Sequence, residues 1–122
     1  MAKLLAVVLA SGGLIAAAAP VSASDLEFFT GQSLYAQCSA KTGDPDVAQR
    51  QARCLGYVVG VSDAQQAAQG MGAAGRVCFP GTVNATQMVG AVAAFLEAHP
   101  EKRPLAAQDL VVEALAAQYP CK

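Results

Sequence analysis

Cys38, Cys54, Cys78 and Cys121 are the residues of this chain whose type best suits chemistry. A four-thiolate zinc site draws on close Cys-x-x-Cys pairs, and no such pair occurs. A nucleophilic thiol needs a base, and the chain has a single histidine, His99. That histidine stands beside Pro100 at the end of a helical pattern, where it reads as a cation for a helix C-terminus. Asp63 follows Gly60-Val61-Ser62 with no second carboxylate near it in sequence. It therefore points to a buried hydrogen bond or an interface rather than to acid–base work. Tyr57 reads as core or contact. The glycines of Gly70–Gly75 fit no phosphate cradle, since no strand precedes them and no Lys-Ser/Thr follows. The chemistry left for four cysteines in a small exported domain is two disulfides. No catalytic constellation, metal site or cofactor is expected.

Export is read from the N-terminus. Met1–Lys3 makes a short positive start, Leu4–Ala19 an apolar run, and Pro20–Ala23 supplies small residues for a cut after Ala23. That layout is a secretory signal peptide over residues 1–23. The run contains Ser11-Gly12-Gly13 and falls short of the roughly 20 residues a spanning helix needs. An uncleaved anchor is the weaker reading, and no cysteine near the cut supports a lipid anchor. The remaining residues, 24–122, make one exported domain with no membrane association. Eight Lys and Arg against nine Asp and Glu leave a net charge of −1. A nucleic-acid binder needs a basic face, so that class is excluded. A hydrophobic content of 54% against 14% charged excludes intrinsic disorder.

The elements that must position these residues are helices. Alanine, the best helix former, is abundant, and four segments show helical spacing with turn residues between them. The first spans about 25–40, with Phe28, Leu34, Tyr35 and Cys38 on one face and Thr30-Gly31 as a possible break. After Gly43, Asp44 is expected to cap a long second helix over about 45–69, with Pro45 in its first turn. Leu55, Val58, Val59 and Ser62 form its apolar face, and Gln49, Arg50 and Arg53 its wet one. Gly56 and Gly60 lie inside it, each weakening a helix by roughly 1 kcal/mol against alanine. Close approach of a neighbouring helix backbone is the expected compensation, so Gly60→Leu should damage the fold. The glycine-rich stretch Gly70–Arg76 should be a flexible loop.

Asn84 and Gln87 match a capping box for a third helix, which also explains the formal glycosylation sequon Asn84-Ala85-Thr86. Met88, Val92, Phe95 and Leu96 form its core stripe, and His99-Pro100 stops it. A charged turn follows, then a fourth helix to Tyr119 with Leu110, Val111, Ala114, Leu115 and Gln118 on one face. If the last two helices form an antiparallel hairpin, Cys78 and Cys121 meet at its open end. Cys38 and Cys54 then pair across the short turn between the first two. The expected fold class is all-α, a small four-helix bundle stapled by two disulfides.

Several of these residues form a recognisable order. Phe29-Thr30-Gly31, Leu34 and Cys38 lead to Cys54-x-Gly56-Tyr57-x-x-Gly60-x-x-Asp63. Cys78-x-Pro80 and Gln87 follow, then Phe95-Leu96 with His99-Pro100-Glu101, and finally Tyr119-Pro120-Cys121. The pattern covers Asp25–Cys121 and resembles the Rap/Tai family of immunity proteins, which accompany type VI secretion amidase effectors in Gram-negative bacteria. The resemblance implies a periplasmic, all-helical, disulfide-bonded homodimer that is not an enzyme. Its partner would be a peptidoglycan amidase of the Cys-His type, inhibited by blocking its cleft. A small periplasmic chaperone or stress protein without a toxin partner is the alternative. A protruding loop fills a cleft better than a flat helix face. Gly70–Arg76, with Met71 and Arg76, is therefore the first candidate for partner contact. The turn carrying Lys102 and Arg103 is the second, as a further contact or a dimer edge.

Overall fold

The computed structural model describes residues 29–122 of the chain. The signal peptide expected over residues 1–23 and the start of the first expected helix lie outside the described residues. Four α-helices follow one another: α1 (Gly31–Cys38), α2 (Val47–Gly70), α3 (Ala85–Ala98) and α4 (Ala107–Gln118). A 3-10 turn, Pro100–Lys102, links α3 to α4. The all-α class stands, and both cysteine pairs are joined. Cys38–Cys54 ties the end of α1 to α2 with a Cα–Cα distance of 5.0 Å. Cys78–Cys121 closes the open end of the α3–α4 hairpin at 4.9 Å. No free cysteine remains among the described residues, so the thiolate readings, zinc and nucleophile alike, do not apply.

The core is built around α4, which packs against the other three helices. Leu110, Val111, Ala114 and Leu115 are buried as their spacing predicts, joined by Ala107 and Val112, while Gln118 is exposed. Leu34, Cys54, Val58, Val92 and Leu96 meet them from α1, α2 and α3. Val77, just before the second disulfide, is buried too and bridges to Pro120, with the Cys78 amide donating to the Tyr119 carbonyl at 2.9 Å.

Helix ends account for most departures from the sequence reading. Thr30 does not break the first helix. It caps it, accepting from the Ser33 amide. Gly31 is required by its neighbours: its amide donates to the Leu105 carbonyl at 2.8 Å, and a Cβ there would lie 2.9 Å from the Arg103 carbonyl oxygen and against the Leu110 side chain. Asp44 does not cap α2. Its carboxylate accepts from the Lys41 amide at 2.8 Å, closing the preceding turn, and pairs with Arg50 at 3.6 Å. Asp46 occupies the cap position at φ 53°, left-handed and without a side-chain cap bond. The Asn84–Gln87 capping box is present in both directions, each bond 3.0 Å.

The phase of α2 also differs. Cys54, Val58 and Ser62 are its buried residues, and Ser62 satisfies its hydroxyl on the Val58 carbonyl at 2.8 Å. Leu55, expected inside, is 42% exposed. Arg50, expected in water, is half-buried and reaches the Ala36 carbonyl at the end of α1, where a cation suits the helix terminus. Gly56 and Gly60 face outward, and a Cβ on either would meet nothing within 4 Å. Among the described residues the expected close packing of a neighbouring helix on these glycines is therefore absent, because Cys54 turns the opposite face of α2 to the core.

Candidate functional site

Three surfaces hold the residues singled out above. The first is the loop after α2. Gly72, at φ +93°, stops the helix. Its amide donates to the Gln69 carbonyl at 3.0 Å and the Ala73 amide to the Ala68 carbonyl at 2.9 Å, the paired bonds of a Schellman stop. Glycine tolerates that left-handed conformation without a Cβ clash. The loop is consequently anchored at its start, and Met71 projects from this anchor 83% exposed. Its far end is anchored as well. Gln69 donates to the Val77 carbonyl at 3.0 Å, and a Cβ on Gly75 would lie 3.3 Å from the Cys121 sulfur. Arg76 is exposed and lines a polar cavity of about 210 Å³ with Val61, Ala64, Gln65, Gln108, Asp109 and Val112.

The second surface is the charged turn, and here the two predicted contact residues are engaged inside the fold. Arg103 donates from Nε to the Leu96 carbonyl at 2.8 Å and from a terminal nitrogen to the Glu97 carbonyl at 3.4 Å, capping α3. Its guanidinium lies 3.6 Å from the centre of the Tyr35 ring on α1, a cation–π contact. Tyr35 in turn donates to the Glu97 carboxylate, and that bond is the main cause holding its phenol above the usual range. Lys102 pairs with Glu113 of α4 and sits 5.4 Å from the Phe95 ring centre. His99 ends α3, packs tilted against Phe95 with ring centres 4.5 Å apart and pairs with Glu101 at 3.0 Å. Glu101's carboxyl is lowered, first by its own backbone N–H and then by His99. Pro100 begins the 3-10 turn.

The third surface was not anticipated. Gly56, Gly60, Val61 and Ala64 form the floor of a shallow groove of about 520 Å³, with Phe29, Tyr57 and Gln108 along its wall. Phe29 and Tyr57 stack at 5.2 Å between ring centres. Burial, followed by the charge of Asp109, raises the Tyr57 phenol above 10.0. Asp63, read as buried or interfacial, is exposed on α2, so a buried hydrogen bond is not its role. Pro80 and Pro120 flank the second disulfide, lining a cavity of about 490 Å³ with Phe79 and Tyr119.

The groove, the loop and the turn share no assembly of nucleophile, base and orienting group. What they share is a frame of disulfides and helix caps that holds surface side chains in place. The comparison with known families decides what that frame is for. The family model described as Rap1a immunity proteins matches residues 30–121. The chain belongs to the Rap1a immunity protein family. Its members are inhibitors of an effector partner rather than enzymes. The match takes in all four helices and both disulfides of this Rap1a-family chain. No curated protein and no solved structure matches it. Among the described residues, no helix is long and apolar enough to cross a membrane.

Proposed function

We propose that this Rap1a-family protein is exported to the periplasm, where, as a homodimer, it binds and blocks a type VI secretion peptidoglycan amidase of the Cys-His type. The observation that carries the reading is the family match over residues 30–121, which covers almost the whole described fold. The surface assigned to the amidase is Met71–Arg76. In its support, Met71 is 83% exposed on a helix stop fixed at both ends, so little ordering entropy is lost on insertion. Arg76, exposed beside it, offers a guanidinium to a carboxylate at the cleft rim. Lys102 and Arg103 serve the fold, through Glu113 and the α3 carbonyls, and contribute to binding only by holding it rigid.

The test is to look beside this gene for one encoding a Cys-His amidase, purify its product and measure binding and inhibition of peptidoglycan cleavage. Wild-type protein should inhibit stoichiometrically. Met71→Asp combined with Arg76→Glu should lose on the order of a hundredfold in affinity while keeping its helical content. Full inhibition by that folded variant would move the plug elsewhere. Failure of the wild-type protein to bind the amidase would reject that partner.

A further inference from the structure

The outward face of α2 carries an unusual cost. Gly56 and Gly60 sit in the interior of a 24-residue helix, where glycine weakens the helix, and among the described residues nothing lies within 4 Å of a Cβ built on either one. The same face carries Arg53 one turn before Gly56 and Asp63 one turn beyond Gly60, both exposed. Neither forms an ion pair among the described residues. Beside them lies the apolar groove walled by the Phe29–Tyr57 stack, with Phe29 37% exposed.

We propose that this face is where a second copy of the chain docks, α2 crossing α2 of the partner antiparallel about a two-fold axis. The inference rests on the homodimer named under Proposed function and assigns its surface. The argument is one of register. Val58 is fully buried, so the direction opposite its side chain leaves the protein through the outer face of α2. A two-fold axis just outside α2, perpendicular both to that direction and to the helix and level with Val58, lies midway between Gly56 and Gly60. It sets Gly56 of one chain against Gly60 of the other, twice, and the missing side chains let the helices approach to the lower end of the usual 8–10 Å range. The same axis places Arg53 opposite Asp63 of the partner subunit, again twice. Each charge lies five residues, about 7.5 Å along the helix, from the crossing point. A two-fold interface must be self-complementary, with each residue's contact repeated by symmetry. Oppositely charged residues at symmetry-related positions, flanking two small ones, meet that condition without adjustment. A parallel pairing would instead set Arg53 beside its own copy, and like charges oppose each other. The aromatic wall of the groove then borders the partner helix and shields the two ion pairs from water on one side.

Sedimentation equilibrium of the exported, oxidised chain tests the proposal with three charge variants. Arg53→Asp and Asp63→Arg, made singly, turn two attractive pairs into two repulsive ones and should each weaken self-association by about tenfold or more. The double variant Arg53→Asp/Asp63→Arg restores opposite charges at both pairs and should recover an affinity near that of the wild type. Gly60→Leu, whose Cβ meets nothing within 4 Å among the described residues, should abolish association while the monomer keeps its thermal stability. A wild-type protein that stays monomeric at millimolar concentration would overturn both the dimer and this surface. A dimer untouched by all four variants would keep the dimer and reject the surface. Weakening by the single variants without recovery in the double one would reject the antiparallel register. A groove that serves the effector instead would appear as lost amidase inhibition with the dimer intact.

Discussion

Two glycine-to-alanine substitutions, one at the start of α1 and one in the middle of α2, should have opposite signs. Gly31→Ala places a methyl group 2.9 Å from the Arg103 carbonyl oxygen and against Leu110 Cδ1, a distance real Cβ contacts do not show. Leu110 is buried and cannot swing away into solvent, and the Arg103 carbonyl is fixed by the Gln32 amide at 2.7 Å. The backbone of α1 must shift, which breaks its docking on the turn before α4. Overpacking of this kind costs about 1–3 kcal/mol. Gly60→Ala adds the same methyl where nothing lies within 4 Å. Its effect on the monomer is the gain in helix propensity, about 0.8–1 kcal/mol. For a domain of this size, each kcal/mol moves the Tm by roughly 4–8 °C. The two variants should thus melt roughly 7–32 °C apart, on opposite sides of the wild type. Thermal and urea unfolding, followed by circular dichroism on oxidised protein diluted well below any dimer affinity, measures this directly. If Gly60→Ala destabilises the dilute monomer, or Gly31→Ala leaves the Tm unchanged, the packing described around these glycines is wrong.

The remaining expectations concern the staples, the caps and one phenol. Replacing Cys78 and Cys121 by serine should cost roughly 4 kcal/mol and the Cys38–Cys54 pair roughly 3, because the first closes the longer loop; urea titrations of the two double variants give the order. Arg103→Ala removes a charged cap on the Leu96 carbonyl and the Tyr35 stack, and should cost about 1.5–3 kcal/mol in the same assay. Asn84→Ala removes the capping box and should cost about 1 kcal/mol. Tyr57's phenol is raised in the folded state, so its contribution is whole below 10.0 and is lost as pH climbs through the folded value. Tyr57→Phe should therefore flatten the alkaline limb of the stability curve, and an unchanged limb would place that dependence on another group.

The parts of the fold that were legible are those governed by local chemistry. The Asn84–Gln87 box specifies its helix start through two reciprocal bonds among four neighbouring residues, and it forms as read. The disulfide pairing follows from element order, since Cys38 ends α1 across a short turn from Cys54 in α2, while Cys78 and Cys121 flank the α3–α4 hairpin. The errors fall where a short polar residue had two local uses. Asp44 satisfies the Lys41 amide rather than a helix start, and Thr30-Gly31 reads as a break until the Leu105 and Arg103 carbonyls behind it are known. A close approach across about 75 residues leaves no trace in composition or period; only the absence of a side chain hints at it.

The surface residues divide by the same logic. Lys102 and Arg103 look free in a sequence because their acceptors are a Glu113 carboxylate on the next helix and main-chain carbonyls at the end of α3, groups that any sequence contains. Met71 and Arg76 look similar in sequence, yet the stop at Gly72 leaves them facing solvent. For α2 the decisive signal was available and lay in the disulfide. Cys54 must turn toward Cys38 and therefore inward, which carries Val58 and Ser62 inward with it at four-residue steps. Gly56 and Gly60 then fall on the far side of the helix. A covalent constraint outranks an apolar stripe in setting helix phase, because a cross-link holds one orientation, whereas Leu55 tolerates a half-exposed position at modest cost. Taken from Cys54 instead of Leu55, the phase turns two glycines from core spacers into surface residues. Among the described residues nothing offsets their cost to the helix, and the proposed α2–α2 contact is what would.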